Sequence, residues 1–496
     1  MLIMALDKLP VPTEQLEAND QGATFLAKMT AIFTATKNAT IAYNRQIDSH
    51  QLATSEADRA REEADRAALI VLDPLLQVRK LLMDDPLCRL FTKSALSPVM
   101  AGNLTVSRAT PASFIDTYGG VKQAPIDQPR LERNGYLFEA QSTNLLLHSE
   151  DLAAAAWVTS PQFTVNTDSE TAPDGTLSAD AIIPSDGFDS YNSGICSQTA
   201  TTTPNATVTL SAFIRPVGNV AAVRLQPYSS SSGNNASLTV RLSDGAIIGE
   251  AVAKGTFSNA SATVQKVRHN YLRISLTFTS GASNSITCRW FPYNDDLTPF
   301  IGDGSSGLAI WGAQLEELPF PSSYIATNTN PVARLSDEIK LPAEGNIPCE
   351  SAGQSVVVNI DKKHFIEGAE VVWSAGTIDD DYRLYFVTIA GQTVLRFEAN
   401  RVEIAERASY DLPTQSLSAT VVVTFNGSHA TMFVNGELAD SFTTGKTALD
   451  ILTEPVYIGS QGGTGFIAQQ MHISDFRIYD FALNADEVKF LSGVRP

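Results

Sequence analysis

A protein that holds a sugar needs aromatic faces to stack on pyranose rings, and Asn, Asp, Gln or Arg side chains to bond the hydroxyls. The stretch CRWFPYNDD at 288–296 carries both classes, which makes Trp290, Tyr293, Asn294, Asp295 and Asp296 the first candidate contacts for such a ligand. Tyr191 and Tyr228 are further aromatics of the same region. Successive strand residues face opposite ways, so either Trp290 or Phe291 must point into a core. Trp373, Tyr382, Arg383 and Tyr385 form a second candidate patch around the acidic run Asp379-Asp380-Asp381. Hard cations need several converging carboxylate oxygens, so Asp379 and Asp381 are the candidate ligands for Ca²⁺. The same run also reads as an exposed acidic loop.

Catalytic constellations are harder to find. The six histidines, His50, His148, His269, His364, His429 and His472, include no H-E-x-x-H pair, and no G-x-S-x-G elbow occurs. GSQGGTG at 459–465 is glycine-rich, but β-like sequence flanks it and no Lys follows, so it reads as a loop and not a phosphate cradle. A pair of glycosidase carboxylates is a matter of geometry that sequence does not show. No catalytic residue and no obligatory cofactor is assigned. Cys88, Cys196, Cys288 and Cys349 lack zinc-ligand spacing. Cys196 and Cys288 either pair within one domain or remain buried thiols.

The elements that must position these residues follow from length and composition. At 496 residues the chain is long enough for two to four domains. Its 43% hydrophobic content excludes wholesale disorder, and only 18% is charged. The net charge of −19 disfavours binding to nucleic acid or to an anionic membrane surface. No stretch reaches the roughly 20 apolar residues of a membrane span, so membrane insertion is not expected. The opening MLIMALDKLPVPTEQ lacks a basic region followed by a long apolar one, so synthesis in a cytoplasm and a soluble chain are expected.

Composition changes near residue 95. Residues 1–95 are Ala-rich and helical in pattern, and EADRAREEADRAALIVLDPLLQVRKLL (56–82) is the clearest helix. Its seam, Ala57, Ala60, Ala64, Ala67 and Val71, has 3-4-3-4 spacing with mixed charges around it. That pattern suits a short parallel coiled coil, expected to be trimeric, or a single amphipathic helix on its own domain. Residues 96–145 read as a β-rich connector punctuated by Pro and Gly. Beyond it, TVTLSAFIRPV (207–217) puts Val208, Leu210, Ala212 and Ile214 on one face, and LRISLTFTS (272–280) does the same with Leu272, Ile274, Leu276 and Phe278. Strands at short intervals without intervening helices point to a β-sandwich over 146–330. A second β unit over 331–496 contains a meander at 418–442, with Asn426-Gly427 and Asn435-Gly436 expected as tight type I′ turns. The chain is expected to close on a short helix capped by Asn484 or Asp486. The expected fold is mainly β: two successive β-sandwiches, or jelly rolls, behind an N-terminal α-helical and short coiled-coil anchor.

Three stretches together resemble known modules. SRATPASFIDTYGGVKQAPIDQPRLERNGYLFEAQSTNLLLHSEDL (107–152) is similar to the segment that many tailed-bacteriophage structural proteins carry ahead of a carbohydrate-binding-module-like sandwich. The matching features are Arg108-Ala109-Thr110, the Asp116 to Gly119 turn, Pro129-Arg130, and Glu139 followed by Thr143-Asn144-Leu145. LAIWGAQLEELPFPSSYIATNTNPVARLSDEIKLP (308–342) looks like the closing strand of that module. PVYIGSQGGTGFIAQQMHISDFRIYDFALNADEVKFL (455–491), with Tyr479, Leu483, Glu487 and Val488, resembles the end of laminin-G-like, concanavalin-type jelly rolls. An unmistakable counterpart of the Ca²⁺-binding Asp of that family is not found.

The resemblance covers about residues 105–496. It implies a bacteriophage virion protein: a non-catalytic tail fibre that recognises a host cell-surface glycan as a homotrimer, held to other virion proteins through residues 1–95. The alternative it admits is a head fibre, a capsid decoration or a baseplate adaptor with mainly structural contacts. A polysaccharide hydrolase is the remaining alternative, although the repetitive rungs of the long β-helical phage depolymerases are absent.

Overall fold

Alternation along the chain builds four large antiparallel sheets. In the computed structural model the described residues are Cys88–Phe91 as a strand and 105–493, apart from 190–195, 230–232, 283, 343–352, 378–379, 400–406, 414–415, 445–454, 463–466 and 480. The helical anchor expected over 1–95 and its seam, Ala57, Ala60, Ala64, Ala67 and Val71, lie outside them. Cys88–Phe91 departs from that expectation, because it is a strand paired with Met471–Tyr479. Pro86 sits just before it, where a helix could not continue undisturbed. Among the described residues no helix is long and apolar enough to cross a membrane.

The first sandwich has two six-stranded sheets. One runs Ser258–Lys266, Leu272–Thr279, Thr207–Val217, Gly307–Glu316, Leu177–Pro184, Phe163–Thr171 in spatial order. The other runs Val252–Lys254, Asn235–Arg241, Ala222–Leu225, Ser285–Tyr293, Cys196–Thr201, Val158–Thr159. Val208, Leu210, Ala212 and Ile214 enter the shared core, as do Leu272, Ile274, Leu276 and Phe278. A bulge at Gly312 (φ +64°) keeps the closing strand in register with this core; a Cβ there would meet the Phe213 ring at 2.9 Å.

The second sandwich pairs Glu437–Thr443, His429–Val434, Leu417–Asn426, Gly353–Lys362 and Met471–Tyr479 in one sheet, facing Glu338–Leu341, Val456–Ile458, Gly368–Thr377, Asp380–Ile389, Gln392–Ala399 and Arg407–Asp411. Asn435 and Gly436 both take positive φ in the two-residue turn between Val434 and Glu437, as the type I′ expectation requires. The preceding turn is shifted by one residue. Asn426 pairs with His429, so Gly427 and Ser428 are the central residues, and Gly427 alone has positive φ, the type II′ pattern. The closing helix, Ala485–Leu491, carries the expected Asn484 cap, completed into a capping box by Glu487.

Residues 105–144 are distributed differently from the expected connector. Gly135–Phe138 and Leu131–Glu132 extend the first sheet of the second sandwich, and Thr105–Ser107 joins the other through Glu338–Leu341. Gly135 (φ +127°) is required there, since a Cβ would lie 2.5 Å from the Ile473 carbonyl oxygen. The hairpin Ala112–Ile115 and Val121–Ala124 lies over the outer face of the first sandwich, where Val121 and Ile115 pack with Phe213, Tyr271, Trp311 and Tyr324.

Candidate functional site

That hairpin covers one outer face of the first sandwich. The outer face of the other sheet carries the polar and aromatic side chains, and pairing register places them. Ala222 lies opposite both Arg241 and Tyr293, Arg224 lies between Thr239 and Phe291, and Arg289 pairs with Ser197. Residues opposite one another across a ladder share a face. Tyr293, Arg224, Gln226, Arg289 and Tyr228 are all half-buried on it. The Arg224 guanidinium lies 5.4 Å from the Tyr293 ring centroid. Arg289 lies 4.2 Å from the Tyr228 ring centroid and 4.9 Å from that of Phe291, and donates to Gln226 Oε1 at 2.5 Å.

The candidates at 288–296 separate into three groups. Trp290 points inward; it is buried beside Trp157, ring centroids 5.4 Å apart, and cannot stack on a sugar there. That corrects its assignment as a glycan contact; Phe291, although on the opposite face of the strand, is buried as well. Asn294 and Asp296 shape the loop. Asn294 Nδ2 donates to Thr298 Oγ1 and the Pro299 carbonyl, both at 3.1 Å, and Asp296 accepts from Thr298 N at 3.0 Å. The Thr298 hydrogen bonds hold the Asp296 carboxyl below the usual carboxylate range. Tyr293 and the exposed Asp295 remain as surface groups, with Asp295 3.2 Å from Arg241 Nε. Tyr191 lies outside the described residues.

The second candidate patch is internally satisfied. Tyr382 is buried in the second core against Phe425, at 5.5 Å, and Trp373 is buried with it. Arg383 is paired with Glu398 at 2.6 Å and stacks on Tyr385, whose hydroxyl also bonds Glu398. Tyr382 and Arg383 are therefore corrected from glycan contacts to packing and ion-pair residues. Asp379 lies outside the described residues, and Asp381 is placed only as a strand residue opposite Gly376. Among the described residues no three His, Cys, Asp or Glu side chains converge as a metal site. Cys196 and Cys288 are buried free thiols, with burial pushing the Cys196 thiol up to about 12.

Residues of the 107–152 and 308–342 segments form a buried ionic junction. Arg130 donates to Glu139 Oε2 at 2.6 Å and also pairs with Asp337, which Arg108 meets at 2.7 Å. Arg334 lies 3.5 Å from Glu139. Burial alone would raise the Glu139 carboxyl, but the Arg334 and Arg130 charges and the Ser323 hydroxyl hold it well below its ordinary value. Asn144 uses its whole amide: Nδ2 donates to the Ala313 and Ile325 carbonyls at 3.0 and 2.8 Å, and Oδ1 accepts from Leu146 N and Leu315 N.

Comparison with known proteins locates one of these modules. Residues 357–489 match the family Laminin_G_3, described as the concanavalin A-like lectin/glucanases superfamily. The second sandwich carries this laminin-G-like jelly roll, as its closing pattern implies. No curated protein matches the chain. Solved structures give partial likenesses. The CBM40 of a Ruminococcus gnavus IT-sialidase is 21% identical over 30% of this chain and 88% of its own, with TM-score 0.25. A botulinum neurotoxin type C structure, described as depending on two ganglioside molecules for cell entry, is 15% identical over 32% of this chain and 40% of its own, TM-score 0.25. A heptameric SAP-like pentraxin from Limulus polyphemus is 18% identical over 29% and 70%, TM-score 0.24.

Proposed function

We propose that the chain is a non-catalytic glycan-recognition protein of a bacteriophage virion, a fibre acting as a homotrimer and anchored to other virion proteins through residues 1–95. The observation that carries the glycan reading is the outer sheet face of the first sandwich, where the half-buried rings of Tyr293 and Tyr228 stand beside Arg224, Arg289 and Gln226. Aromatic planes beside hydrogen-bonding side chains are the chemistry that saccharide rings require. The jelly roll at 357–489 belongs to a superfamily that includes lectins by its description. The virion setting and the trimer rest on the resemblance at 107–152 and 308–342 and on the alanine seam at 57–71. Three weak sites on one trimer gain effective concentration, so low single-site affinity is sufficient for attachment.

Two of the buried carboxylates are committed to packing and hydrogen bonding. Glu139 and Glu316 are sealed in the junction with arginine, serine and glutamine partners, away from the outer sheet face.

Binding of the full-length chain to an immobilised glycan array, repeated with Tyr293→Ala, tests the reading. The expected result is binding that falls about tenfold or more in the variant while its melting temperature is kept. A wild-type chain that retains no glycan, or equal binding by the variant, overturns this site. Immunogold labelling of intact particles tests the setting: label on tail fibres supports it, label over the head makes the chain a decoration protein, and absence from the virion removes the phage assignment.

A further inference from the structure

Resting on that glycan reading, we infer that the outer sheet face of the first sandwich selects an anionic saccharide, one whose ring bears a carboxylate or phosphate that Arg224 and Arg289 receive. Two cations on this face have no counter-charge among the described residues. Among the described residues, the other arginines stacked on tyrosines are neutralised by an acid: Arg383 lies over Tyr385 and pairs with Glu398, and Arg215 lies over Tyr271 and pairs with Glu170. Arg224 and Arg289 have the same stacking on Tyr293 and Tyr228, yet neither has a carboxylate within ion-pair reach among the described residues. Their neutral partners are Ser237 Oγ, at 3.3 Å from Arg224, and the Gln226 carboxamide on Arg289.

The two sit diagonally across paired strands, since Arg224 lies opposite Phe291 and Arg289 is two residues before it. At that spacing their charges repel. Burial, with the Arg224 charge adding to it, lowers the Arg289 pKa, although Tyr228 acts in the opposite direction. A covering role for Phe291 does not require this arrangement, because a neutral Gln or Met would shield the ring without a like-charge pair. An overall charge of −19 makes two unneutralised arginines on one face a local exception. Planar guanidiniums bind carboxylate and phosphate oxygens with paired hydrogen bonds, and the flanking Tyr rings and Gln226 supply the surface and hydrogen bonds for the rest of a sugar.

The test uses the full-length chain on immobilised polysaccharides matched in pairs: polygalacturonate against fully methyl-esterified pectin, and phosphomannan against neutral mannan. The expected result is at least roughly tenfold tighter binding to one or both anionic members, weakened severalfold between 50 and 500 mM NaCl and lost in R224Q and R289Q. Which pair discriminates identifies carboxylate or phosphate as the source. R289K, which keeps the charge but not the fork, should fall between wild type and R289Q. The salt and ester comparisons are made on the wild-type chain, so they decide the matter even if an arginine variant misfolds. Equal binding of charged and neutral members, unaffected by R224Q but lost in Y293A, overturns the anionic inference and leaves glycan recognition standing. No binding to any of the four overturns both.

Discussion

Glu139 and Glu316 accept hydrogen bonds from consecutive serines, Ser323 and Ser322, yet their carboxyls are driven in opposite directions. Glu139 has Arg130 at 2.6 Å and Arg334 at 3.5 Å. Glu316 is raised, mainly by burial, because its direct partners are neutral: Ser142, Ser322 and the Gln314 amide. Two buried acids of one residue type thus make opposite contributions at neutral pH.

Glu139→Gln is expected to cost about 3–5 kcal/mol at pH 7, because it leaves Arg130 and Arg334 buried without their counter-charge. The pH dependence has a defined sign. The folded-state pKa of Glu139 is depressed, so on acidification the unfolded chain takes up the proton first. Its contribution is present above the unfolded value of about 4.3 and is lost as pH falls towards the folded one. The gap between wild type and variant should therefore narrow below about pH 4. Glu316→Gln should change stability by under about 1 kcal/mol at pH 7, since the Ser142 and Ser322 hydroxyls can rotate to accept from the new amide. Urea denaturation across pH 3–7 measures both. Equal costs at pH 7 would remove the distinction.

Asn144 makes four hydrogen bonds from one fully buried amide, and joins the start of the first sandwich to its closing strand and the segment after it. Asn144→Ala should destabilise by about 3 kcal/mol, from unpaired backbone groups and a small cavity. Asn144→Asp should be at least as damaging, because a carboxylate would face the Ala313 and Ile325 carbonyl oxygens without donors. Chemical denaturation of both variants checks the order, and a stable Asn144→Asp protein would contradict it.

How much of this was legible depended on the distance over which each feature is encoded. Val208, Leu210, Ala212 and Ile214 reveal their face by alternation alone, and Asn435-Gly436 reveals its turn by local backbone preference. Asn426-Gly427 was displaced by one residue because pairing of Asn426 with His429 fixes the register. The resemblance residues Arg108 and Glu139 were visible as a pattern, but their shared partner Asp337 is 229 and 198 residues away, so a buried junction could not be read from spacing. Arg289 stood within CRWFPYNDD itself. Its place on the outer face near Arg224, with Trp290 turned inward, is set by strand pairing and not by local sequence.

Trp290→Ala and Tyr293→Ala should separate packing from binding on one strand. Removing the buried indole beside Trp157 is expected to cost about 3–5 kcal/mol. Removing the half-buried Tyr293 ring should cost under about 1 kcal/mol while weakening saccharide binding. Thermal melts paired with the glycan array measure the two quantities on the same samples. A Tyr293 variant as unstable as the Trp290 one would make that ring a structural element and not a surface for ligand.

Lys362 and Glu370 offer the corresponding test in the second sandwich. Both are essentially fully buried, with Lys362 Nζ 2.7 Å from Glu370 Oε1 and also donating to the Gln469 carbonyl. Burial lowers the lysine pKa, while the Glu370 carboxylate opposes that shift and favours the charged form. Glu370 in turn accepts from Gln469 N at 2.9 Å and Ile366 N at 3.2 Å, so removing Lys362 alone leaves a buried carboxylate with only backbone donors. Lys362→Met should therefore lose about 3–5 kcal/mol. Adding Glu370→Gln removes the stranded charge and keeps an oxygen for one backbone donor, so the double variant should recover part of that loss. Recovery of about 1–3 kcal/mol in a double-mutant cycle is the expected outcome. Additive losses would mean that the two side chains act independently and that the cost of an unpaired charge is not what holds this corner of the jelly roll together.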